Sequence, residues 1–191
     1  MWFLLRLLGS LTAAVVLGLA SAYAGIFWMR GGDAQIHNGP WSTNLLTGST
    51  SADPYLRTYV AVVGILALNK NETIYYEANH DSAGEPLDGK CSYRIDGKDP
   101  DARWWSITVY GTDHFLLPNQ AKRYSITKNN VVRGADGSFS VRLSTTRDEG
   151  NWIATSENGF ELTLRLYNPA ESVRARPDAV PLPSITKEAC S

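Results

Sequence analysis

Residues 91–109, CSYRIDGKDPDARWWSITV, show the pattern that decides the fold class of this chain. In the first half Tyr93 and Ile95 alternate with polar residues, and in the second half Trp105 and Ile107 do the same. Successive side chains of a β-strand point to opposite faces of the sheet, so this period of two predicts strands with one buried and one wet face. Antiparallel sheets commonly have this arrangement.

The same alternation recurs elsewhere, at Tyr124 and Ile126, at Phe139, Val141 and Leu143, and at Leu162, Leu164 and Leu166. Residue pairs that favour turns separate the predicted strands, namely Asp88-Gly89, Asp96-Gly97, Asn129-Asn130, Asp136-Gly137 and Asn158-Gly159. Many short strands with regular turns are typical of sandwiches rather than of βαβ units. The sequence therefore predicts a mainly β protein, with an antiparallel β-sandwich or jelly-roll-like domain, one packed α-helix, and a single N-terminal transmembrane helix before them.

One helix is expected inside the domain. Asp53 can accept hydrogen bonds from free backbone amides as the N-cap, and Pro54 suits the first helical position. Apolar residues at helical spacing extend the prediction from Tyr55 to Leu68, and Asn69 can end the helix. At a length of about 21 Å this helix is too short to span a bilayer, so it should pack on the domain.

The N-terminal segment is apolar enough to enter a membrane. The run from Leu7 to Met29 carries no charge, and a helix of that length would measure about 35 Å, enough for a hydrocarbon core of about 30 Å. The flanking Arg6 favours a cytoplasmic N terminus and a periplasmic C-terminal domain, held in the bacterial inner membrane by a single pass. The alternative is a signal peptide cleaved after Ala22 or Ala24, and in both cases the domain is exported.

These segments define the expected layout. Residues 1–30 form a cytoplasmic stub and a transmembrane signal-anchor helix, residues 31–52 a linker and lead-in, residues 53–168 the helix plus β-sandwich domain, and residues 169–191 an extended Pro-rich tail belonging to the domain. The lipid bilayer, contacted through residues 7–29, is one predicted partner. The net charge of −1 excludes the strongly basic surface that nucleic-acid binding requires.

Cys91 and Cys190 are the two cysteines of the chain. An even number of cysteines in an exported domain suggests a disulfide, and two unrelated thiols are the alternative. The spacing offers no CxxC motif, so a redox or zinc role is not expected.

Sequence motifs assemble no catalytic machinery. The three histidines, His37, His80 and His114, do not pair at the spacing of metal-binding motifs. Nucleophile-elbow, P-loop and dinucleotide-binding patterns are absent from the sequence. We therefore predict no catalytic residue, no cofactor and no metal site, with a loop or surface position for each histidine.

Aromatic residues offer candidate contacts with a ligand or partner. Trp104 and Trp105 are neighbours in one predicted strand and must point to opposite faces, while Trp152 lies in a predicted loop. Exposed indoles can stack on sugars or anchor an interface, with core packing as the alternative for each. Polar candidates lie at strand ends and turns, where structural hydrogen bonds are the alternative. These are Tyr110, Asp113, Asn119 and Arg165.

Several short sequence motifs, taken in chain order, resemble those of one bacterial family. They are WWSITVYGTD at 104–113, PN at 118–119, RYS at 123–125, DGS at 136–138, NW at 151–152 and LRLYNP at 164–169, with NGPW at 38–41 and ADPY at 52–55 before them. Over roughly residues 38–190 the chain resembles the short membrane-anchored members of the domain-of-unknown-function family DUF1214 (DUF twelve-fourteen). The resemblance implies a β-sandwich or jelly-roll domain and a frequent companion domain, DUF1254 (DUF twelve-fifty-four). It assigns no reaction and no catalytic residue.

The expected function is not catalytic. The tether and the aromatic-rich sheet faces favour a protein-interaction or accessory subunit of an inner-membrane or envelope complex. Its partner would be another envelope protein, for example a separate DUF1254 chain or a larger inner-membrane complex. The alternative is an envelope carbohydrate- or lipid-binding module, or a glycan-acting hydrolase.

Overall fold

The computed structural model describes residues 2–28 and 34–190. In these residues the helices are α1 (Trp2–Trp28), α2 (Pro54–Val62) and α3 (Glu171–Ala175), and a 3₁₀ turn covers Pro177–Ala179. The strands are β1 (Ile36–Asn38), β2 (Trp41–Thr43), β3 (Thr73–Ala78), β4 (Cys91–Lys98), β5 (Ala102–Gly111), β6 (Ser125–Thr127), β7 (Ser138–Ser144), β8 (Trp152–Ala154), β9 (Phe160–Pro169) and β10 (Ser184–Cys190).

The strands form two sheets, which confirms the mainly β prediction. The large sheet has six antiparallel strands in the order β1-β2-β3-β9-β5-β6. The small sheet has the order β10-β4-β7-β8. Its β7–β8 pair is parallel, so this sheet is mixed at one edge, an arrangement that the alternation of side chains alone does not predict.

The core lies between the two sheets. Its largest fully buried side chains include Trp41, Tyr76 and Trp105 from the large sheet and Tyr93 from the small sheet. Trp105 stacks on Phe139 of the opposite sheet, with the ring centroids 5.1 Å apart. The apolar residues of the alternating pattern point inward, which leaves the intervening polar residues on the outer faces.

Helix α2 begins as predicted but ends earlier. Asp53 Oδ1 accepts hydrogen bonds from the amides of Tyr55 (2.8 Å) and Leu56 (3.1 Å), as an N-cap does. The helix stops at Val62 rather than Leu68 because Gly64 adopts a left-handed φ of 70°. The amides of residues 64 and 65 return to the carbonyls of residues 61 and 60, which is a Schellman C-cap.

Removal of this N-cap should weaken α2 measurably. Asp53→Ala leaves two amides of the first turn without their acceptor, and we expect it to lower the free energy of unfolding by about 1 kcal/mol. Chemical denaturation of the detergent-solubilised chain measures the change. Thr58→Ala is the matched control, because Thr58 is exposed and its Oγ1 donates to the Pro54 carbonyl oxygen within α2 itself. An equal loss in both variants would contradict the capping role.

Helix α1 is long and apolar enough to cross a membrane from Trp2 to Ile26, and its most apolar 18-residue stretch is not buried in the protein. Its C-terminal end meets α2. A Cβ placed on Gly25 would lie 2.7 Å from Tyr55 Cε1, so the absence of a side chain allows a close crossing of the two helices. Ile26 packs against a small apolar cluster that α2 forms with the preceding segment. Residues 29–33, which include the expected end of the anchor and the start of the linker, lie outside the described residues.

Side-chain hydrogen bonds join the segment before α2 to the C-terminal tail. Residues 31–52, expected to be a linker and irregular lead-in, include β1 and β2 at the edge of the large sheet. Asn38 Nδ2 donates to the Val180 carbonyl oxygen (2.8 Å), and Trp41 Nε1 donates to the Pro183 carbonyl oxygen (2.7 Å). The lead-in therefore belongs to the folded domain.

The tail is also more regular than an extended Pro-rich segment. It contains α3 and ends in β10, which pairs with β4. The predicted disulfide between Cys91 and Cys190 is present and joins these two strands. On the core side of the large sheet, burial raises the pKa of Tyr76, whose hydroxyl stays protonated and donates to the Pro177 carbonyl oxygen at 3.0 Å.

The expected turn at Asp96-Gly97 does not form. Both residues lie inside β4, paired with Ser140 and Phe139 of β7. A Cβ on Gly97 would come within 2.9 Å of the ring of Pro183. A glycine is therefore needed at position 97 because the tail approaches the strand closely there, and not because the chain forms a turn.

Candidate functional site

A cleft lies between the outer face of the large sheet and the segment that follows Asp53. The strands β3, β5 and β9 form its floor, and α2 and residues 63–68 form its roof. Residues 63–68 alone are called the roof segment. The cleft consists of two cavities of about 240 Å³ and 320 Å³ that share Tyr59, Tyr75 and Glu161 among their lining residues. We call this feature the α2 cleft.

Strand register explains why the floor is polar. Glu77 of β3 pairs with Thr163 of β9, which pairs with Thr108 of β5. In the next row of the same face Tyr75 pairs with Arg165. The core-facing residues between them are apolar, so the outward residues of three neighbouring strands meet on one side of the sheet.

Arg165 places a cation in this floor. Its Nη2 donates to the Tyr110 hydroxyl at 3.0 Å, its Nη1 lies 3.4 Å from Thr108 Oγ1, and its guanidinium carbon is 5.4 Å from the Tyr110 ring centroid. Among the described residues it makes no salt bridge. A half-buried guanidinium held by neutral hydroxyls keeps donors available for a ligand.

A histidine–glutamate pair lies beside this arginine. Tyr110 of β5 is directly opposite Glu161 of β9, and the chain turns back after β5 so that His114 reaches the same carboxylate. His114 Nδ1 and Glu161 Oε1 are 2.5 Å apart, and both side chains are 27% exposed, so the pair remains accessible from the cleft. Tyr59 of α2 closes over the imidazole edge-to-face, with the ring centroids 6.3 Å apart.

A hydrogen bond joins the roof segment to the floor of the cleft. The Leu68 amide donates to the Tyr75 hydroxyl at 3.0 Å, so a floor residue supports the roof directly. Gly48 also packs closely against it, since a Cβ there would lie 2.3 Å from the Leu68 carbonyl oxygen.

The structure brings together only some of the predicted contact residues. Tyr110 and Arg165 line the α2 cleft. Trp104 lies half-buried on the same face and packs edge-on against Tyr167, a cleft residue, at 5.2 Å between ring centroids. Asp113 is an exposed turn residue whose Oδ1 accepts from the Phe115 amide at 3.0 Å.

The remaining predicted contacts have structural roles. Trp105 is 0% exposed and Trp152 is 4% exposed, so neither indole can stack on a ligand that approaches from solvent. Trp152 Nε1 donates to Ser144 Oγ at 3.0 Å. Asn119 holds a turn, where its Oδ1 accepts from the Arg123 amide at 2.9 Å.

Five cleft residues were not singled out by sequence reasoning as a site, namely Tyr59, Tyr75, Glu77, His114 and Glu161. The available indication was the polar half of the alternating pattern, because Glu161, Thr163 and Arg165 succeed one another on the wet face of one strand. In the described residues, no group of three or more His, Cys, Asp or Glu side chains could hold a metal ion.

Comparison with known proteins identifies structures with a similar fold but assigns no activity to this chain. The chain superposes on a crystal structure of the VPA0106 protein of Vibrio parahaemolyticus with a TM-score of 0.61 and 23% identity, covering 73% of this chain and 36% of that one. An uncharacterised protein of Burkholderia cenocepacia aligns with a TM-score of 0.46 and 20% identity, covering 63% of this chain and 30% of that one. Both proteins are thus much longer than the matched region. Among proteins with curated descriptions, none matches this chain.

A family model also matches residues 72–171, which run from β3 to α3 and include the whole floor of the α2 cleft. Its description is "Protein of unknown function (DUF1214)". The match covers more than half of the chain, in agreement with the resemblance found in the sequence. This chain belongs to the DUF1214 family.

Proposed function

We propose that this protein is a membrane-anchored domain of the bacterial envelope that binds a hydroxylated ligand of the carbohydrate class in the α2 cleft. The observation that supports this most is Arg165, a half-buried guanidinium without a salt bridge in the described residues, set beside the His114–Glu161 pair. Arginine donors and carboxylate acceptors converge there on one cavity of about 320 Å³.

The charges of the floor favour hydroxyl groups over an anion. Among the described residues that line the cavity of about 320 Å³, one arginine lies with two glutamates, Glu77 and Glu161, so these side chains give no excess of positive charge. A hydroxyl group accepts from a guanidinium and donates to a carboxylate, which suits such a mixed floor. The half-buried rings of Tyr110 and Tyr167 add flat apolar surfaces on which a sugar ring can pack.

The anchor and the disulfide support the location. α1 is long and apolar enough to span a bilayer, and the Cys91–Cys190 bridge fits an oxidising compartment. We place α1 in the inner membrane with the N terminus in the cytoplasm and the domain in the periplasm. A protease added to intact spheroplasts should then digest the domain, and the domain should stay with the membrane fraction after an osmotic shock.

Binding can be tested on the full chain in nanodiscs, where no glycoside detergent competes. Calorimetric titration would use chitotetraose and maltotetraose as probes. We expect saturable binding of at least one probe and a loss of about tenfold or more in affinity for Arg165→Met, because a hydrogen bond from a charged donor is lost. Arg147→Met, at an exposed arginine outside the α2 cleft, is the matched control and should bind as the wild type does. Absence of binding of both probes, or equal binding by the two variants, would overturn the proposal.

A second candidate function is an accessory subunit that acts with another envelope protein. It is favoured by α1, which is long and apolar enough to hold the domain at a membrane beside other envelope proteins. The partner would be a separate chain, for example of the DUF1254 family, or a larger inner-membrane complex. Purification in mild detergent at native expression should then recover a defined complex, and recovery of a bare monomer would count against this function.

A further inference from the structure

Exposed apolar side chains surround the mouth of the α2 cleft. Val62 at the end of α2 is 59% exposed and Leu66 of the roof segment is 94% exposed. Phe115, next to the cleft residue His114, is 73% exposed, and Leu116 is 44% exposed. His114 packs against Tyr59 of α2, so the 115–116 turn and the roof segment border the same helix. A cluster of exposed apolar residues on one side of a domain marks an interaction surface.

The composition of this surface is unusual for an exposed segment. From Pro54 to Leu68, PYLRTYVAVVGILAL, Arg57 is the single charged residue, and no residue is acidic. Exposed apolar and aromatic side chains of such a segment can contact lipid, and a single arginine can place its charge among the headgroups.

The crossing of α1 and α2 fixes where this surface lies. Gly25 of α1 contacts Tyr55 of α2, and only three residues, about 4.5 Å of helix, separate Gly25 from the end of α1 at Trp28. If α1 spans the bilayer, its last turn is at the lipid boundary. α2 must then lie at that boundary too, because the contact leaves no room for a spacer between them.

We infer that α2, the roof segment and the 115–116 turn form a surface that lies in the headgroup layer of the same bilayer that holds α1. The inference rests on the membrane anchor of the proposed function. It goes beyond the anchor because it makes the domain itself a lipid-contacting body, with Tyr55 and Phe115 as interfacial aromatic residues. It also makes the α2 cleft open toward the membrane, so that a ligand approaches it along the lipid surface.

Depth-dependent quenching in the full chain tests this inference. Both native cysteines are bridged, so a single introduced cysteine is the one free thiol for a fluorescent label under non-reducing conditions. Labels would be placed through Leu66→Cys and Phe115→Cys, each in nanodiscs of phosphatidylcholine that contain brominated lipid. Val132→Cys is the matched control, because Val132 is also apolar and 67% exposed but lies beside Asn151 next to β8. Leu17→Cys, in the middle of α1, reports the anchor independently.

We expect labels 66 and 115 to show a blue-shifted emission and a loss of intensity with brominated lipid, while label 132 shows neither and label 17 is quenched most strongly. If labels 66 and 115 are quenched no more than label 132 while label 17 is quenched, the anchor stands and this inference is overturned. That result would leave the apolar surface to a protein partner. An unquenched label 17 would overturn the anchor itself, and the inference with it.

Discussion

Replacement of Trp105 by alanine is expected to lower the free energy of unfolding by about 3–5 kcal/mol. The indole is 0% exposed on β5 of the large sheet and stacks on Phe139 of the small sheet, so its removal leaves a cavity between the two sheets. Chemical denaturation of the full chain in detergent measures the loss. Unfolding would be monitored by backbone circular dichroism, because that signal does not depend on the replaced tryptophan.

The neighbouring tryptophan supplies the control for this prediction. Trp104→Ala removes a half-buried indole from the opposite face, where the main loss is the edge contact with Tyr167, and we expect a cost of about 1–2 kcal/mol. Trp105→Phe should also cost less than Trp105→Ala, because the buried indole nitrogen has no hydrogen-bond partner in the described residues. Equal losses for Trp104→Ala and Trp105→Ala would contradict the assignment of the two sheet faces.

Removal of the disulfide is the second change with a large expected effect. Cys91 and Cys190 are 99 residues apart in sequence, and the bridge restricts the unfolded chain over the part of the domain from β4 to β10. The loss of chain-entropy restriction for a loop of that length is about 4–5 kcal/mol as an upper value. We expect the double variant Cys91→Ala, Cys190→Ala to lower the free energy of unfolding by an amount that approaches this value, as measured by chemical denaturation.

Reductant provides the control for the disulfide. Reduction of the wild type should reproduce most of the destabilisation of the double variant, and the same reductant should leave the double variant unchanged. A wild type that unfolds at the same denaturant concentration with and without reductant would show that β10 is held by its pairing with β4 alone.

The sequence predicts the buried half of this fold well. Alternation in residues 91–109 identified the inward positions Tyr93, Ile95, Trp105 and Ile107, all of which are 0% exposed. Asp53 was also predicted correctly, because an N-cap depends only on neighbours in the chain. Gly64 ends α2 for an equally local reason, although the apolar run that continues to Leu68 conceals it.

Contacts between distant segments could not be predicted in this way. Alternation shows which face a residue occupies but not which strand lies beside it. Gly97 suggested a turn because the approach of Pro183, more than eighty residues later, is not visible in the local sequence. The parallel pairing of β7 and β8 and the strands within residues 31–52 depend on the same kind of long-range contact.

The α2 cleft depends on long-range register as well. Arg165 was singled out from its position on a strand, but its neighbours Tyr110 and Tyr75 come from two other strands that register places beside it. The His114–Glu161 pair forms only because β5 and β9 are adjacent in the large sheet. Sequence reasoning therefore found individual members of the site and not the site itself.

The fastening of the lead-in to the tail has a mechanical consequence. A force on the anchor would reach the domain through residues 34–43, where the side chains of Asn38 and Trp41 donate hydrogen bonds to the backbone of the tail. The tail is joined covalently to β4 at Cys190, so the load would pass across the hydrogen-bonded edges of both sheets and end on a sulfur–sulfur bond. Edge strands arranged in this way resist shear together, and the domain should withstand traction from a moving membrane better than a sandwich suspended from a loose linker.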